Sequence, residues 1–238
     1  AGGIAGAIPG ILRAYLGTSE VIVTIMMNYI ILYVANNIIR FGFTADMLRS
    51  SEASNKVVAS ASYQTEYLSQ ITGGSRFNIG FFLALAAAFL VWFLLKKTTT
   101  GFEITSVGLN PHASEYAGMS SKRVIIMSMI ISGALCGLGG TVEGLGTFQN
   151  VFVQNASLAI GWNGMAVALL ASNSPIGIPF AALLYGVLSI GKSGMIGVPS
   201  EIIDVVSALI IFFVGANYII RYWVRPRHKS VKAKGGQN

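Results

Sequence analysis

Four long apolar runs give the sequence its main pattern, and they predict membrane-spanning helices. The runs cover residues 21–39, 79–95, 124–142 and 205–220, and none contains an internal Lys, Arg, Asp or Glu. A bilayer core about 30 Å thick requires about 20 predominantly apolar residues in a helix. The pattern therefore predicts an all-α fold, namely a polytopic bundle of transmembrane helices.

A fifth apolar stretch, residues 161–190, is interrupted by Asn173, Ser174 and Pro175. Each of its two pieces is short for a full span, so we expect either two short spans or a re-entrant pair of half-helices. Non-helical backbone at membrane depth is tolerated only where protein or a water-filled cavity surrounds it. We therefore place Asn173 among the candidate residues of a translocation pathway.

Composition and charge placement agree with a membrane protein. Hydrophobic residues make up 53% of the chain and charged residues 11%, against about 45–50% and about 25% in soluble domains. The net charge of +7 is concentrated in the loop 96–123 and the tail 221–238, and short cytoplasmic loops collect Lys and Arg. We expect both segments in the cytoplasm, a transmembrane domain over 1–220, and no nucleic-acid partner.

Candidate catalytic and metal-binding groups are few. One cysteine, Cys136, excludes a disulfide framework within the chain, and with only His112 and His228 we expect no metal site. Glu143 and Glu201 have no His or Cys near them in the sequence. An intramembrane enzyme that uses Glu143 or Glu201 is therefore an alternative interpretation, not the favoured one.

Residues 186–193 match the phosphate-loop pattern G-x-x-x-x-G-K-[ST]. A phosphate loop joins a buried strand to a helix whose N-terminus faces the nucleotide, whereas the residues before Gly186 predict a membrane helix. We expect no nucleotide at this position and place Lys192 in a loop or at an interface.

Polar residues recur along the first predicted span. Glu20, Thr24 and Asn28 are four residues apart, which places them on one face of a helix, and Asn36 follows two turns later. Such a stripe either forms hydrogen bonds with another helix or lines a path for a polar, uncharged solute. We retain these four residues as candidates for the solute pathway, and both interpretations stay open.

Two further patterns concern the span 124–142 and the loop before it. Small residues recur every four positions at Ser132, Cys136, Gly140 and Gly144, and again at Gly133 and Gly137, a spacing that allows close helix packing in lipid. In the loop, Asn110 is suited to cap a helix that starts at Pro111 and stops at Gly118. This short helix is either a connector or a contact for a soluble partner.

Three motifs in order resemble a known family. The loop G-L-N-P-H-A-S-E-Y-A-G-M (108–119), followed by Lys122 and Arg123 and by S-G-A-L-C-G-L-G-G-T-V-E (132–143), resembles bacterial ABC-transporter permeases of the ribose, branched-chain amino acid and nucleoside class. Residues 17–30 look most like the nucleoside permeases that work with basic-membrane-lipoprotein binding proteins, and 166–179 fit the same family.

The resemblance implies a nucleoside importer in the bacterial plasma membrane, with a lipoprotein binding protein outside, a second permease subunit beside this chain and a cytoplasmic ATPase. ATP and Mg would be bound by the ATPase, so this chain would be no enzyme and would carry no cofactor. Cargo of the simple sugar or amino acid type is the alternative within the class. The coupling contacts carried over by the motif are Asn110, Pro111, His112, Ala113, Glu115, Tyr116, Ala117 and Gly118. Family members have further helices before this point, so we expect the chain to be a piece of a longer permease.

Overall fold

The structure, a computed structural model, describes residues 1–43, 47–50, 52–71, 73–74, 77–156 and 159–194, together with the single residues 202, 205, 208, 209 and 212. It divides into two compact units, Ala1–Ala159 and Ile160–Asn238. Helices make up most of the described part of both units. The all-α prediction is therefore confirmed.

Helices form the framework of the first unit. In chain order they are α1 (Gly2–Leu16), α2 (Glu20–Asn37), α3 (Glu66–Ile71), α4 (Gly80–Lys97), α5 (Thr99–Leu109), α6 (Pro111–Tyr116) and α7 (Ser121–Thr141). Helix α2 continues as a π-helical turn over Ile38–Gly42, and α7 continues as a second one over Val142–Phe148. A 3-10 turn occupies Ala59–Ala61.

Three of the four predicted spans are confirmed. With their π-helical turns, α2 and α7 cover Glu20–Gly42 and Ser121–Phe148, and α4 covers Gly80–Lys97; all three are long and apolar enough to cross a membrane. The fourth predicted span, 205–220, lies largely outside the described residues.

Helix α1 was not predicted from the sequence, where residues 1–16 stood out only as glycine-rich. It packs along α7, and its glycines allow the two backbones to touch. A Cβ atom on Gly6 would lie 2.5 Å from the carbonyl oxygen of Met129, and one on Gly2 would collide with the carbonyl oxygen of Gly133. The close packing predicted from small residues in α7 is thus confirmed at Gly133, whereas a Cβ atom on Gly140 would meet no described neighbour.

Two loop segments join at the end of the unit where α7 finishes; we call residues 47–50, 52–64 and 149–155 the end layer. It contains a short antiparallel pair, β1 (Leu48–Ser50) and β2 (Ala53–Ser54), which is a small addition to the all-α prediction. The amides of Ser54 and Val57 donate to the carbonyl oxygens of Val151 and Gln149, each at 2.8 Å. Backbone hydrogen bonds between distant segments therefore hold the layer together.

The loop 96–123 lies at the opposite end of α7 and contains more helix than was expected. Helix α5 occupies its first half, where the sequence analysis predicted no helix. Thr98 caps α5 by accepting a hydrogen bond from the amide of Gly101 at 3.1 Å. Gly101 is buried, and a Cβ atom there would lie 2.6 Å from the Cα atom of Leu95. Glycine at this position permits the sharp turn from α4 into α5.

The second unit contains two helices among its continuously described residues, α8 (Ile160–Leu170) and α9 (Gly177–Gly194). The predicted break between them is confirmed: Ser172 and Asn173 have φ angles of 52° and 56°. The amide of Asn173 donates to the carbonyl oxygen of Ala168 at 2.8 Å. At a rise of about 1.5 Å per residue, α8 is only about 16 Å long, too short to cross a bilayer core, and α9 is about 27 Å long.

Candidate functional site

Helix α6 starts at the residue that the sequence analysis predicted. The Oδ1 atom of Asn110 accepts a hydrogen bond from the amide of Ala113 at 3.1 Å, and Pro111 occupies the first helical position. The helix ends at Tyr116, and Gly118 adopts a φ angle of 85° that favours glycine. The predicted capped helix is confirmed as a structure, while its role as a contact stays a prediction.

Buried hydroxyl groups fasten α6 to its surroundings. Ser114 is 5% exposed and donates through Oγ to the carbonyl oxygen of Asn110 at 3.0 Å. Ser121, 6% exposed, donates from the start of α7 to the carbonyl oxygen of Pro111 at 3.2 Å. The amide of Met119 donates back to the carbonyl oxygen of Ser114 at 3.0 Å. The short helix α6 is therefore held in a fixed position against the start of α7.

The outer surface of α6 is open and partly apolar. Tyr116 is 96% exposed and Leu109, at the end of α5, is 84% exposed. The other predicted coupling residues are also exposed, namely Asn110, Pro111, His112, Ala113, Glu115, Ala117 and Gly118. Fixed backbone and exposed large side chains are the combination that a docking element requires, because little ordering remains to be done on binding.

The turn between α1 and α2 lies at the same end as α6. The Nζ atom of Lys122 is 5.4 Å from the ring centre of Tyr15, which brings the end of α1 against the start of α7. Arg13 and Glu20 form an ion pair at 3.0 Å across the turn. Glu20, predicted to face a solute path, thus has a cationic partner within its own unit.

The rest of the predicted polar stripe is also engaged in interactions. The hydroxyl of Thr24 donates to the carbonyl oxygen of Glu20 at 2.8 Å, a bond within α2 itself. Asn28 also has an interaction partner. Asn173 lies in the second unit, in the turn between α8 and α9. The structure brings Glu20, Thr24 and Asn28 onto one helix, as the spacing predicted, and their place in a solute pathway stays a prediction.

Asn36 joins α2 to the end layer. Its Nδ2 atom donates to the carbonyl oxygen of Gln154 at 2.7 Å, and its Oδ1 atom accepts from the amide of Gln154 at 3.0 Å. This pair of bonds links residues 118 positions apart. The sequence contained no signal for Gln154 as a partner, because a single glutamine in a loop has no characteristic spacing.

Gln149 is a second residue that sequence reasoning missed. Its Nε2 atom donates to Ser62 Oγ at 3.0 Å and to Gln64 Oε1 at 2.8 Å, and its own φ angle is 56°. With Lys56, Thr147 and Phe148, residues Gln64 and Gln149 surround a cavity of about 340 Å³. The left-handed backbone of a non-glycine residue costs roughly 1 kcal/mol, which these hydrogen bonds help to offset.

The structure also bears on the phosphate-loop pattern and on one of the two candidate glutamates. Residues 186–193 lie inside the continuous helix α9, so the phosphate-loop pattern has no loop. Of the two places expected for Lys192, the loop is therefore wrong, and the interface stays a prediction. Glu143 accepts a hydrogen bond from the hydroxyl of Thr147 at 3.2 Å. Glu201, the other glutamate of the enzyme alternative, falls outside the described residues.

Comparison with known proteins agrees with these features. The family described as branched-chain amino acid transport system / permease component matches residues 1–215. The chain belongs to this permease family. A nucleoside ABC transporter permease protein, NupB, of Lactococcus lactis is 51% identical over 98% of the chain and 65% of its own length. A guanosine ABC transporter permease protein, NupP, of Bacillus subtilis is 48% identical over 93% of the chain and 64% of its own length.

A third relative matches a shorter region. The guanosine ABC transporter permease protein NupQ of Bacillus subtilis is 36% identical over 44% of the chain and 32% of its own length. The chain spans about two thirds of the length of NupB and NupP. No solved structure matches the chain significantly.

Proposed function

We propose that this chain is the membrane-spanning permease subunit of an ATP-driven importer that moves nucleosides into a bacterial cell. The observation that carries the proposal is the 51% identity to a nucleoside permease over 98% of the chain. The capped helix α6 supports it independently, because a rigid and exposed element is what an ATPase subunit needs in order to move a membrane helix.

The proposed orientation places α6 and the basic tail 221–238 in the cytoplasm. Its support is the distribution of basic residues between the two ends of the first unit. Among residues whose side chains the structure describes, the end that contains α6 has five basic ones, namely Arg13, Lys96, Lys97, Lys122 and Arg123. The end layer, with the π-helical turn of α2, has two, Arg40 and Lys56. The end layer would then face outward.

The partners follow from this assignment. An ATPase subunit would bind ATP and Mg and contact α6 through Tyr116 and its neighbours, and a lipoprotein would deliver solute to the outer end. A second permease subunit would complete the pathway. The resemblance to both NupP and NupQ of one organism supports a pair of related permeases. This chain needs no cofactor of its own in such a system.

The solute pathway is proposed along the polar face of α2, with Asn173 of the second unit as a further candidate. Glu20 and Thr24 contribute mainly through the bonds that fix their own helix and turn. Asn28 is the member that lies deepest within the span Glu20–Gly42. Amides and hydroxyls suit a polar and uncharged solute, because such groups exchange hydrogen bonds with it without burying a net charge.

The test is uptake of labelled guanosine and uridine by bacteria that lack their own nucleoside uptake and express the full transporter with or without this subunit. We expect uptake only with the subunit present, and competition by unlabelled nucleosides but not by glucose or leucine. Competition by glucose or leucine, without competition by nucleosides, would instead favour a sugar or an amino acid as the transported solute. Loss of ATP-dependent uptake in Glu143→Gln, with intact uptake in Tyr116→Ala, would favour the enzyme alternative.

A further inference from the structure

A polar cavity of about 350 Å³ lies at the end of the first unit opposite α6. Its walls come from the last turns of α2, the π-helical turn that follows, and the segment after α7. They are Tyr33, Asn36, Asn37, Arg40, Phe41, Gln154 and Asn155. Ligand sites in proteins measure about 300–1,000 Å³, so the cavity is large enough for one small solute.

The walls combine aromatic rings with side-chain amides that can form hydrogen bonds with the edges of a bound ring. Tyr33 and Phe41 are 69% and 81% exposed, which leaves their ring faces available for stacking. The amides of Asn37, Gln154 and Asn155 each offer donors and acceptors. An aromatic heterocycle with polar edges matches this lining better than an aliphatic or a charged solute does.

Arg40 supplies the feature that distinguishes one heterocycle from another. No described carboxylate lies within ion-pair distance of its guanidinium group; the ion pair among the described residues joins Arg13 and Glu20. A guanidinium group donates two parallel hydrogen bonds to adjacent acceptors, as arginine does to O6 and N7 of guanine. Uracil, the base of uridine, has no such pair, because its two carbonyl oxygens lie on either side of the N3–H donor.

Asn36 positions the cavity and does not complete it as a ligand. Its side-chain amide is bonded twice to the backbone of Gln154, at 2.7 Å and 3.0 Å, and so fixes the wall that carries Gln154 and Asn155 relative to α2. The π-helical turn over Ile38–Gly42 carries Arg40 and Phe41. Such turns occur frequently at functional sites.

We propose that this cavity is an entry site for purine nucleosides with a carbonyl group at position 6, and that Arg40 determines this specificity by donating to O6 and N7. The proposal rests on the proposed function and deepens it by naming the residues that first receive the solute in the membrane complex. Stacking on Tyr33 and Phe41 holds the ring, while the amides contact the sugar hydroxyls and the remaining edge.

The test measures binding of labelled guanosine and uridine to the purified membrane complex of both permeases and the ATPase, without the lipoprotein. Arg40→Lys keeps the positive charge but loses the forked pair of donors. We expect the dissociation constant for guanosine to rise about 10-fold in this variant and that for uridine to change less than twofold. Lys56→Gln, a change in a basic residue at the same end but outside this cavity, is the matched control and should alter neither value.

The position of Asn36 gives a second variant. Asn36→Ala should weaken guanosine and uridine binding to a similar degree, because the wall that carries Gln154 and Asn155 is then no longer bonded to α2. Equal loss of both nucleosides in Arg40→Lys, no loss of either, or no detectable guanosine binding to the wild-type complex would overturn the proposal. Failure of the proposed function is recognised separately, since the complete wild-type transporter would then import neither nucleoside in cells.

Discussion

Replacing Asn110 by alanine removes the side-chain cap of α6, and the structure allows the cost to be worked out. The variant loses the acceptor for the amide of Ala113, now bonded at 3.1 Å, but keeps the backbone carbonyl that accepts from Ser114. Loss of such a cap costs about 1 kcal/mol. Because isolated helices shorter than ~12–15 residues are marginal in water, a helix as short as α6 depends strongly on its caps.

A change of about 1 kcal/mol alters the ratio of formed to unformed α6 about fivefold. Hydrogen exchange measured by mass spectrometry in the full transporter should report it at amides that α6 protects. These are the amides of Ala117, Gly118 and Met119, which donate to Ala113, Glu115 and Ser114 at 3.2, 2.9 and 3.0 Å. We expect about fivefold faster exchange there and less solute imported per ATP hydrolysed.

Asn110→Asp is the matched control, because aspartate caps helices about as well as asparagine. Its exchange rates should stay within twofold of the wild type. Unchanged exchange of these amides in Asn110→Ala would refute the view that the cap holds α6. Faster exchange with full coupling of uptake to ATP hydrolysis would refute the link between the rigidity of α6 and transport.

Three further changes test other parts of the first unit. Gly133→Ala should lower the free energy of unfolding of the purified protein by roughly 1–3 kcal/mol, seen as a lower melting temperature, because the new methyl group meets the backbone of α1. Glu20→Gln should cost about 0.2–1 kcal/mol in chemical unfolding, the value of an exposed ion pair with Arg13. Gln149→Ala should speed hydrogen exchange across the end layer, since it loses two hydrogen bonds worth about 1 kcal/mol each.

Each of these changes has a comparison that isolates its cause. Gly139→Ala lies in the same helix where a Cβ atom meets no described neighbour, so it should be neutral or stabilising by up to about 1 kcal/mol. The double variant Arg13→Gln with Glu20→Gln should lose less unfolding free energy than the two single variants lose in total, because each single change already breaks the ion pair. Simple additivity would contradict the ion pair. For Gln149→Ala, an unchanged amide exchange at Val57, which donates to the backbone of residue 149, would show that the side chain does not hold the layer.

The sequence predicted what local physics determines. Three spans were predicted correctly because a long apolar run indicates a membrane helix whichever neighbours the helix packs against. Helix α6 was predicted correctly because Asn110, Pro111 and Gly118 act on the backbone next to them. Helix α1 was missed because glycine has a low intrinsic helix propensity. Its helix is stabilised by contact with α7, and that contact requires glycine at positions such as 2 and 6.

The end layer was beyond sequence reasoning for a different reason. Its hydrogen bonds join residues such as Asn36 and Gln154, which are 118 positions apart, and a single chain carries no periodic signal for such pairs. The same reasoning explains the polar stripe on α2. Spacing of four placed Glu20 and Thr24 on one face correctly, but the identity of their partners depends on a neighbouring turn and on the backbone of α2 itself.

Variants at the two ends of the first unit should change different steps of transport. Helix α7 begins at Ser121, which is bonded to α6, and reaches the end layer through its π-helical turn at Val142–Phe148. Changes at α6 should alter how ATP hydrolysis is coupled to uptake without changing which solute binds. Changes at Arg40 should alter solute selectivity without changing basal ATP hydrolysis. A variant at either end that moved both quantities together would indicate global unfolding, because α6 and the cavity share no described side chain.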